Sequence, residues 1–321
     1  MAIRTALTEK FGLEYPVVSA PMGAVAGGRL AAAVSNAGAL GLVGGGYGDP
    51  DWMRAELSLA RKGTARPWGV GLITWHATQE VIELALSYEP RAFMLSFGDP
   101  GPFVPAIKDA GCALICQVQS VEEGRAAKAA GADIVVAQGT EAGGHGAQRS
   151  TLPLVPAVVD AVAPTPVLAA GGIVDGRSLA AALMLGARGA LMGTRFYAAT
   201  EALGHQRAKE RIVTARGGDT RRTRVFDIVR EHAWPEPYTG RAIRNSFMER
   251  WDGREDDLTA ALAEEIPAFR AAVREGDVET AMVWAGEAVD LISYVAPAAE
   301  LIRRIGAEAE ACLRYGSELL I

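Results

Sequence analysis

The chain has 321 residues, half of them hydrophobic, and a formal net charge of −6. This length accommodates one barrel domain of about 250 residues plus an addition, and the interspersed charges exclude a large basic face for nucleic acid. No apolar run reaches membrane-spanning length, and three cysteines without a signal peptide predict a protein of the reducing cytoplasm.

Short apolar runs alternate with amphipathic, alanine-rich segments through the first two thirds of the chain. The runs are typical of buried parallel strands, and the segments between them carry apolar residues at helical spacing. This alternation implies parallel strands with right-handed crossovers. The predicted strands are 17–20, 40–43, 69–73, 92–96, 113–118, 134–138, 166–170 and 190–193, and the helices include 29–36, 51–62, 79–87, 121–130 and 177–185.

Small-residue turns end several of the helical segments, with glycine at positions 38, 111, 131 and 186. Glycine in such a turn adopts the left-handed backbone conformation that closes a helix. The recurrence of these turns indicates one structural unit that is repeated along the chain. Eight such units close most naturally as a (β/α)8 TIM barrel, and an open doubly wound sheet is the alternative.

The pattern changes after residue 196. Residues 205–296 show no further strand repeat, which predicts a mostly helical cap, and residues 298–320 carry helical spacing again, which predicts a final helix packed on the barrel. We therefore expect a barrel made of 1–204 and 297–321, with a cap made of 205–296.

A glycine-rich turn follows the sixth predicted strand and presents one histidine. Gly139, Gly143, Gly144 and Gly146 allow close approach of the backbone to a ligand, and His145 is the only side chain there with a near-neutral reference pKa. Reactive groups of barrel enzymes lie on the loops after the strands. The pattern therefore predicts His145 as a catalytic residue.

A second signal follows strands seven and eight, where barrels often bind phosphate through backbone amides. Gly171 and Gly172 end strand seven, and Gly193 and Thr194 end strand eight, with Arg195 as a further source of charge. The combination predicts a phosphorylated cofactor or substrate.

Other polar clusters have simpler explanations. Cys112 and Cys116 flank a predicted strand and lack a second Cys or His pair, so we predict buried apolar residues and no metal site. His76, after strand three, is a second candidate at the active-site face, but because it lacks a partner carboxylate a place on the rim is the favoured interpretation. The arginines of 216–224 are expected in a solvated loop or at an anion.

Several motifs together resemble the nitronate monooxygenase family, formerly the 2-nitropropane dioxygenases. The resemblance covers nearly the whole chain and is carried by residues 20–23 (APMG), 138–146 (QGTEAGGHG), 170–173 (AGGI), 192–196 (MGTRF), 241–245 (RAIRN) and 283–286 (VWAG). It implies a (β/α)8 barrel with a helical cap, FMN as cofactor, and oxidation of alkyl nitronates by O2 to a carbonyl compound and nitrite.

The resemblance also implies roles for individual residues. His145 would face the substrate over the flavin, as base towards a neutral nitroalkane or as hydrogen-bonding partner of a nitronate. Nitronate and O2 would be the partners, and a homo-oligomer is left open. The implied cofactor-binding residues are Ala20, Pro21, Met22, Gly23, Gln117, Gln138, Gly143, Gly144, Gly171, Gly172, Met192, Gly193 and Thr194.

Two positions depart from the family pattern. Gly71 stands where the family often has asparagine, and Gln117 stands where many members have a lysine that would stabilise negative charge on a reduced flavin. The same motifs resemble FMN-dependent enoyl-acyl-carrier-protein reductases, which use NAD(P)H, and Gln117 favours that alternative slightly. A flavin- or phosphate-binding protein without catalytic activity is the third hypothesis.

Overall fold

The computed structural model describes residues 3–319, and within that range eight parallel strands close into a barrel. The barrel strands follow one another in chain order, and β9 closes the ring by pairing with β1, where Val17 lies opposite Ala190. The strands are β1 (Val17–Ser19), β2 (Leu40–Gly46), β3 (Trp68–Ile73), β4 (Ala92–Ser96), β5 (Ala113–Val118), β6 (Ile134–Gln138), β7 (Gly144–Gly146), β8 (Val167–Ala170), β9 (Ala190–Met192), β10 (Thr220–Thr223) and β11 (Thr239–Ile243). All but β7, β10 and β11 belong to the barrel, so the predicted TIM barrel is confirmed.

Helices surround the barrel, and short 3-10 turns occupy Gly101–Phe103, Gly217–Asp219 and Glu287–Leu291. The five helices predicted above are confirmed to within two residues at each end. The helices are α1 (Ala6–Phe11), α2 (Gly28–Asn36), α3 (Pro50–Gly63), α4 (Gln79–Leu86), α5 (Val104–Asp109), α6 (Val121–Ala129), α7 (Thr151–Val162), α8 (Gly176–Met184), α9 (Thr194–Tyr197), α10 (Gln206–Thr214), α11 (Val225–Val229), α12 (Ser246–Trp251), α13 (Glu255–Ala260), α14 (Leu262–Glu275) and α15 (Ala298–Glu318).

The apolar side chains of the barrel strands form two layers. In β6, Ile134 and Val136 belong to the inner layer, while Val135 and Ala137 pack outward against the helices. All four are fully buried. Both faces of the strand are therefore apolar, which explains why the strands appear in the sequence as continuous hydrophobic runs.

Helix α1 closes the N-terminal end of the barrel. Leu7 and Phe11 belong to the inner layer, and the Thr5 hydroxyl donates to the carbonyl oxygen of Arg188 at 2.7 Å, just before β9 begins. This end of the barrel is therefore covered, and a ligand is expected at the opposite end, where the carboxyl ends of the strands meet.

The predicted glycine turns have the expected backbone conformation. The φ angles are 88° at Gly38, 66° at Gly111, 97° at Gly131 and 93° at Gly186. Residues with a side chain rarely adopt these angles, so glycine is required at each helix end.

The cap contains a small sheet that the sequence did not reveal. Strands β10 and β11 pair antiparallel, and β11 also pairs with β7, which lies in the glycine-rich turn after β6. Helices α10 to α14 still make up most of the regular structure of residues 205–296, which were predicted as a mostly helical cap, and the two strands are an addition to that prediction. The sheet ties the cap directly to the turn that carries His145.

The last predicted helix is confirmed as α15, and residue 320 lies outside the described residues. The Glu308 carboxylate accepts a hydrogen bond from the Gly176 amide at 2.8 Å, which joins α15 to the start of α8.

Cys112 and Cys116 are buried as predicted, and burial raises the pKa of each thiol to about 12. No helix within residues 3–319 is apolar and long enough to cross a membrane.

Candidate active site

A cavity of about 610 Å³ lies at the carboxyl ends of the barrel strands and continues beneath the cap. Its size is within the range of about 300–1,000 Å³ that is typical of ligand pockets. His145 and every predicted cofactor-binding residue except Met192 line it. Met192 is fully buried instead, and its carbonyl oxygen accepts a hydrogen bond from the Ala20 amide at 2.9 Å. The backbone of Met192 thus holds the turn after β1 in place.

The turn after β1 packs so closely on β2 and β3 that glycine is needed at one position of each of these strands. A Cβ atom on Gly71 would lie 2.4 Å from Cγ of Pro21, and one on Gly44 would lie 2.3 Å from the carbonyl oxygen of Met22. Both distances are shorter than van der Waals contact. An asparagine at position 71 would have to displace Pro21, which gives a physical reason for this departure from the family pattern.

The glycines after β8 and β9 form an open cradle with free donors. The amides of Gly171, Gly172 and Gly193 donate to no acceptor within the described residues. A Cβ on Gly193 would find its nearest atoms only at 3.7 Å, so there is space beside this residue, which lines the cavity. Thr194 Oγ1 accepts from the Gly286 amide at 3.0 Å and keeps its own proton to donate. Convergent donors of this kind suit a phosphate group.

Two glutamines on the neighbouring strands β5 and β6, and a third just after β5, are joined through the side-chain amide of Gln138. Gln138 Oε1 accepts hydrogen bonds from Nε2 of Gln117 at 3.1 Å and from Nε2 of Gln119 at 2.8 Å. The Gln138 oxygen is therefore occupied, and its Nε2 donates to no protein group in residues 3–319. Since Gln138 lines the cavity, it can present this donor to a ligand.

His145 lies against groups that come from the cap. Its Nε2 atom is 2.9 Å from both carboxylate oxygens of Asp227, on α11, and only 9% of the His145 side chain and 4% of the Asp227 side chain are exposed. The Trp234 ring stacks on the imidazole at a centroid distance of 3.5 Å and an interplanar angle of 5°. Two residues of the cap thus hold the imidazole of His145: Asp227 at its Nε2 edge and Trp234 on one face.

Strand pairing brings His145 to this position. His145 on β7 lies opposite Gly240 on β11. A Cβ on Gly240 would lie 2.5 Å from the Trp284 ring, so the glycine leaves room for this indole 5.3 Å from the imidazole. Asp227 and Gly240 were not predicted, because they follow His145 by more than 80 residues and only the cap sheet brings them close.

Burial and nearby charges act on the protonation of His145. Burial is the main cause that lowers its pKa below the usual value, and the positive charges of Arg230 and Arg222 act in the same direction. The hydrogen bond and negative charge of Asp227 oppose them. The net lowering leaves the imidazole neutral at pH 7.

Arg222 corrects the expectation of a solvated arginine loop. It lies on β10, its Nη1 donates to the carbonyl oxygens of Gly146 and Thr239, and its Nε donates to the Thr140 hydroxyl at 3.0 Å. Burial lowers its pKa to about 10. Arg222 therefore clamps the glycine-rich turn to the cap, while Arg221 and Arg224 are in contact with carboxylates at the surface.

The other histidines differ from His145 in their surroundings. His76 Nδ1 lies 2.8 Å from the Tyr47 carbonyl oxygen and the residue does not line the cavity, in agreement with a place on the rim. His205 lines the cavity but caps α10 by accepting from the Arg207 amide. His232 stacks on the Tyr47 ring at 3.9 Å. None of these three has the carboxylate partner that His145 has.

His232 makes stability depend on pH. Burial lowers its pKa from 6.5 to about 4, so between these values the unfolded chain binds more protons than the folded one. We expect the free energy of unfolding to fall as pH decreases through this window and the His232 contribution to level off below it. Denaturant titrations at several pH values measure this slope. His232→Phe keeps an aromatic ring on Tyr47 and should have a shallower slope; an unchanged slope would contradict the assignment.

A family model described as nitronate monooxygenase matches residues 4–81 and 72–308. The chain belongs to the nitronate monooxygenase family. It is an oxidoreductase of nitronate monooxygenase type, and the family is flavin-dependent. The resemblance inferred from the motifs is thereby confirmed.

Proteins with different names are similar to this chain in sequence or in fold. A nitronate monooxygenase of Neurospora crassa is 34% identical over 88% of this chain and 85% of its own length. A Mycobacterium tuberculosis (3aS,4S,5R,7aS)-5-hydroxy-7a-methyl-1-oxo-octahydro-1H-indene-4-carboxyl-CoA dehydrogenase is 38% identical, but the match spans 67% of this chain and 61% of that protein. The structure of FabK from Thermotoga maritima superimposes with a TM-score of 0.89 and 32% identity, covering 99% of this chain and all of that one.

Proposed function

We propose that this enzyme binds FMN and oxidises alkyl nitronates, and the parent nitroalkanes, with O2 to a carbonyl compound and nitrite. One observation carries the proposal: the imidazole of His145 and the unpartnered amides of Gly171, Gly172 and Gly193 line the same cavity. A proton acceptor and a phosphate cradle in one cavity are what a flavin enzyme acting on a carbon acid needs.

The residues present fit FMN. The amides of Gly171, Gly172 and Gly193 would hold the phosphate together with the Thr194 hydroxyl, and Gln138 would donate through Nε2 to an acceptor on the ring. When bound, FMN supplies the redox chemistry, by taking electrons from the substrate and passing them to O2.

The protein groups contribute orientation and a proton site. His145 serves as base for a neutral nitroalkane or as hydrogen-bonding partner of a nitronate. Trp234 and Trp284 place apolar surface beside it, which excludes water from the reacting carbon. Gln117 offers a hydrogen bond without a full charge, so it stabilises negative charge on the cofactor less than lysine would.

A second candidate is a flavin-dependent reductase or dehydrogenase of acyl thioesters that exchanges electrons with NAD(P)H. The neutral Gln117 favours it, and the name of the carboxyl-CoA dehydrogenase relative agrees with it. The residues of the cavity that both classes share cannot separate them.

Anaerobic stopped-flow mixing separates the two candidates. The flavin-loaded enzyme is mixed with propyl-2-nitronate in one experiment and with NADH or NADPH in another, and the flavin absorbance is followed. Bleaching by the nitronate alone supports the proposal. Rapid bleaching by the nucleotide with no response to nitronate would replace it with the reductase function.

A further inference from the structure

The His145–Asp227 contact determines which ring nitrogen of His145 is free to react. Asp227 is 4% exposed, and a carboxylate in this position can only accept hydrogen bonds. Nε2 of His145, at 2.9 Å from both its oxygens, must therefore carry the proton of the neutral ring. Nδ1 is then unprotonated and carries a lone pair. It has no hydrogen-bonding partner within residues 3–319, and since His145 lines the cavity, Nδ1 is the ring nitrogen that remains for a ligand.

We propose that Asp227 is a positioning residue that holds His145 in the Nε2–H tautomer, so that Nδ1 removes the α-proton of a neutral carbon acid. This inference rests on the proposed function and deepens it, because it names the neutral nitroalkane rather than the preformed nitronate as the substrate that the site is built to accept. The second nitrogen of a histidine takes its role from the hydrogen bond of the first.

The proton transfer balances within the site. The C–H bond breaks, its electron pair stays on the carbon and spreads into the nitro group, and the proton forms a bond to Nδ1. His145 becomes an imidazolium whose Nε2–H remains hydrogen-bonded to the Asp227 carboxylate, which stabilises the new positive charge. A nitronate has already lost this proton, so it does not need Nδ1 as a base, and His145 would act on it as a hydrogen-bond donor through Nδ1 only after taking up a second proton.

The charged groups around His145 agree with this role. From α11 comes Asp227, with Arg230 Nη1 3.9 Å from its carboxylate, and from β10 comes Arg222. His232, which interacts electrostatically with His145, has a pKa lowered to about 4 and is uncharged at pH 7. Burial with two nearby cations keeps the resting imidazole neutral, as a base must be. The remaining neighbours, Phe97, Trp234 and Trp284, carry no charge.

The tautomer can be observed directly. Long-range 1H–15N NMR of the 15N-histidine-labelled, flavin-loaded enzyme reports the protonated nitrogen of each of its four histidines, and the His145→Gln spectrum assigns the His145 signals. We expect neutral His145 with the proton on Nε2 at pH 7. A wild-type spectrum with the proton on Nδ1, or with a doubly protonated ring, overturns the proposal, and this result needs no substrate.

The Asp227→Asn variant tests the consequence. An asparagine amide can donate to Nε2, so we expect the proton to move to Nδ1 in a measurable fraction of molecules. We also expect kcat/KM for nitroethane to fall by about 10²- to 10⁴-fold, the usual contribution of a general base. The fall for ethyl nitronate should be much smaller. Asp256→Asn, an exposed carboxylate of the same cap without a contact to His145, should change neither the spectrum nor the rates.

The outcomes keep this inference apart from the proposed function. If wild-type enzyme oxidises neither nitro compound but shows the Nε2–H tautomer that Asp227→Asn disturbs, the substrate class fails and the role of Asp227 stands. If Asp227→Asn keeps the wild-type tautomer, or loses activity equally on nitroethane and ethyl nitronate, Asp227 has only a structural role. If the variant does not fold, the wild-type spectrum still decides.

Discussion

His145→Ala is expected to lower kcat/KM for a neutral nitroalkane by about 10²- to 10⁴-fold while FMN stays bound, since this is the range that a positioned base contributes. Retention of FMN is expected because the donors assigned to the phosphate are backbone amides after β8 and β9 and the Thr194 hydroxyl, none of which is supplied by the His145 side chain. Steady-state kinetics and the flavin absorbance of the purified variant measure both quantities.

The comparison between substrates makes this test sharper. A nitronate has already lost its proton, so the base is dispensable for it, and the loss of kcat/KM should be smaller than for the nitroalkane. His76→Ala removes an imidazole from the rim that does not line the cavity, and it should leave the kinetics near those of the wild type. Full turnover of the nitroalkane by His145→Ala would remove this residue from the chemistry.

Gly193→Leu is expected to abolish stable FMN binding without unfolding the barrel. The backbone at Gly193 has a φ of −100°, which any residue adopts, and the added Cβ would meet only ordinary contacts at 3.7 Å. The remainder of a leucine side chain would extend into the cavity that Gly193 lines and reduce the room for the phosphate. The phosphate would lose the hydrogen bonds from the Gly193 amide and the neighbouring Thr194 hydroxyl. Since each is worth about 1.5–3 kcal/mol, FMN binding should weaken on the order of a hundredfold or more.

Gly193→Ala is the matched control for this variant, since it adds only the tolerated Cβ. It should bind FMN within severalfold of the wild-type affinity, while both variants keep the circular dichroism spectrum of the wild type. Fluorescence titration of flavin-free protein with FMN gives the affinities. Equal affinity of Gly193→Leu and wild type would mean that the phosphate lies elsewhere in the cavity.

The cap explains why the site could be predicted only in part. Gln138 ends barrel strand β6, the turn with His145 comes after the same strand, and the glycine cradle follows β8 and β9, so their convergence could be predicted from the strand order. Asp227 and Trp234 lie in the cap, and they reach His145 through the antiparallel pairing of β7 with β11. These strands are short and far apart in the chain, with arginine and glycine among few apolar residues, so no local pattern marked them.

The sequence by itself determined the barrel, its helices and the end at which chemistry occurs. Continuous apolar runs require burial on both faces, and glycine at the helix ends requires a left-handed turn, so local physics dictates each β/α unit. Only the tertiary structure decided that Gly71 makes room for Pro21, that Met192 supports the site from the core, and that Asp227 fixes the proton of His145. These are contacts between distant segments, and their geometry exists only after the barrel closes and the cap pairs with it.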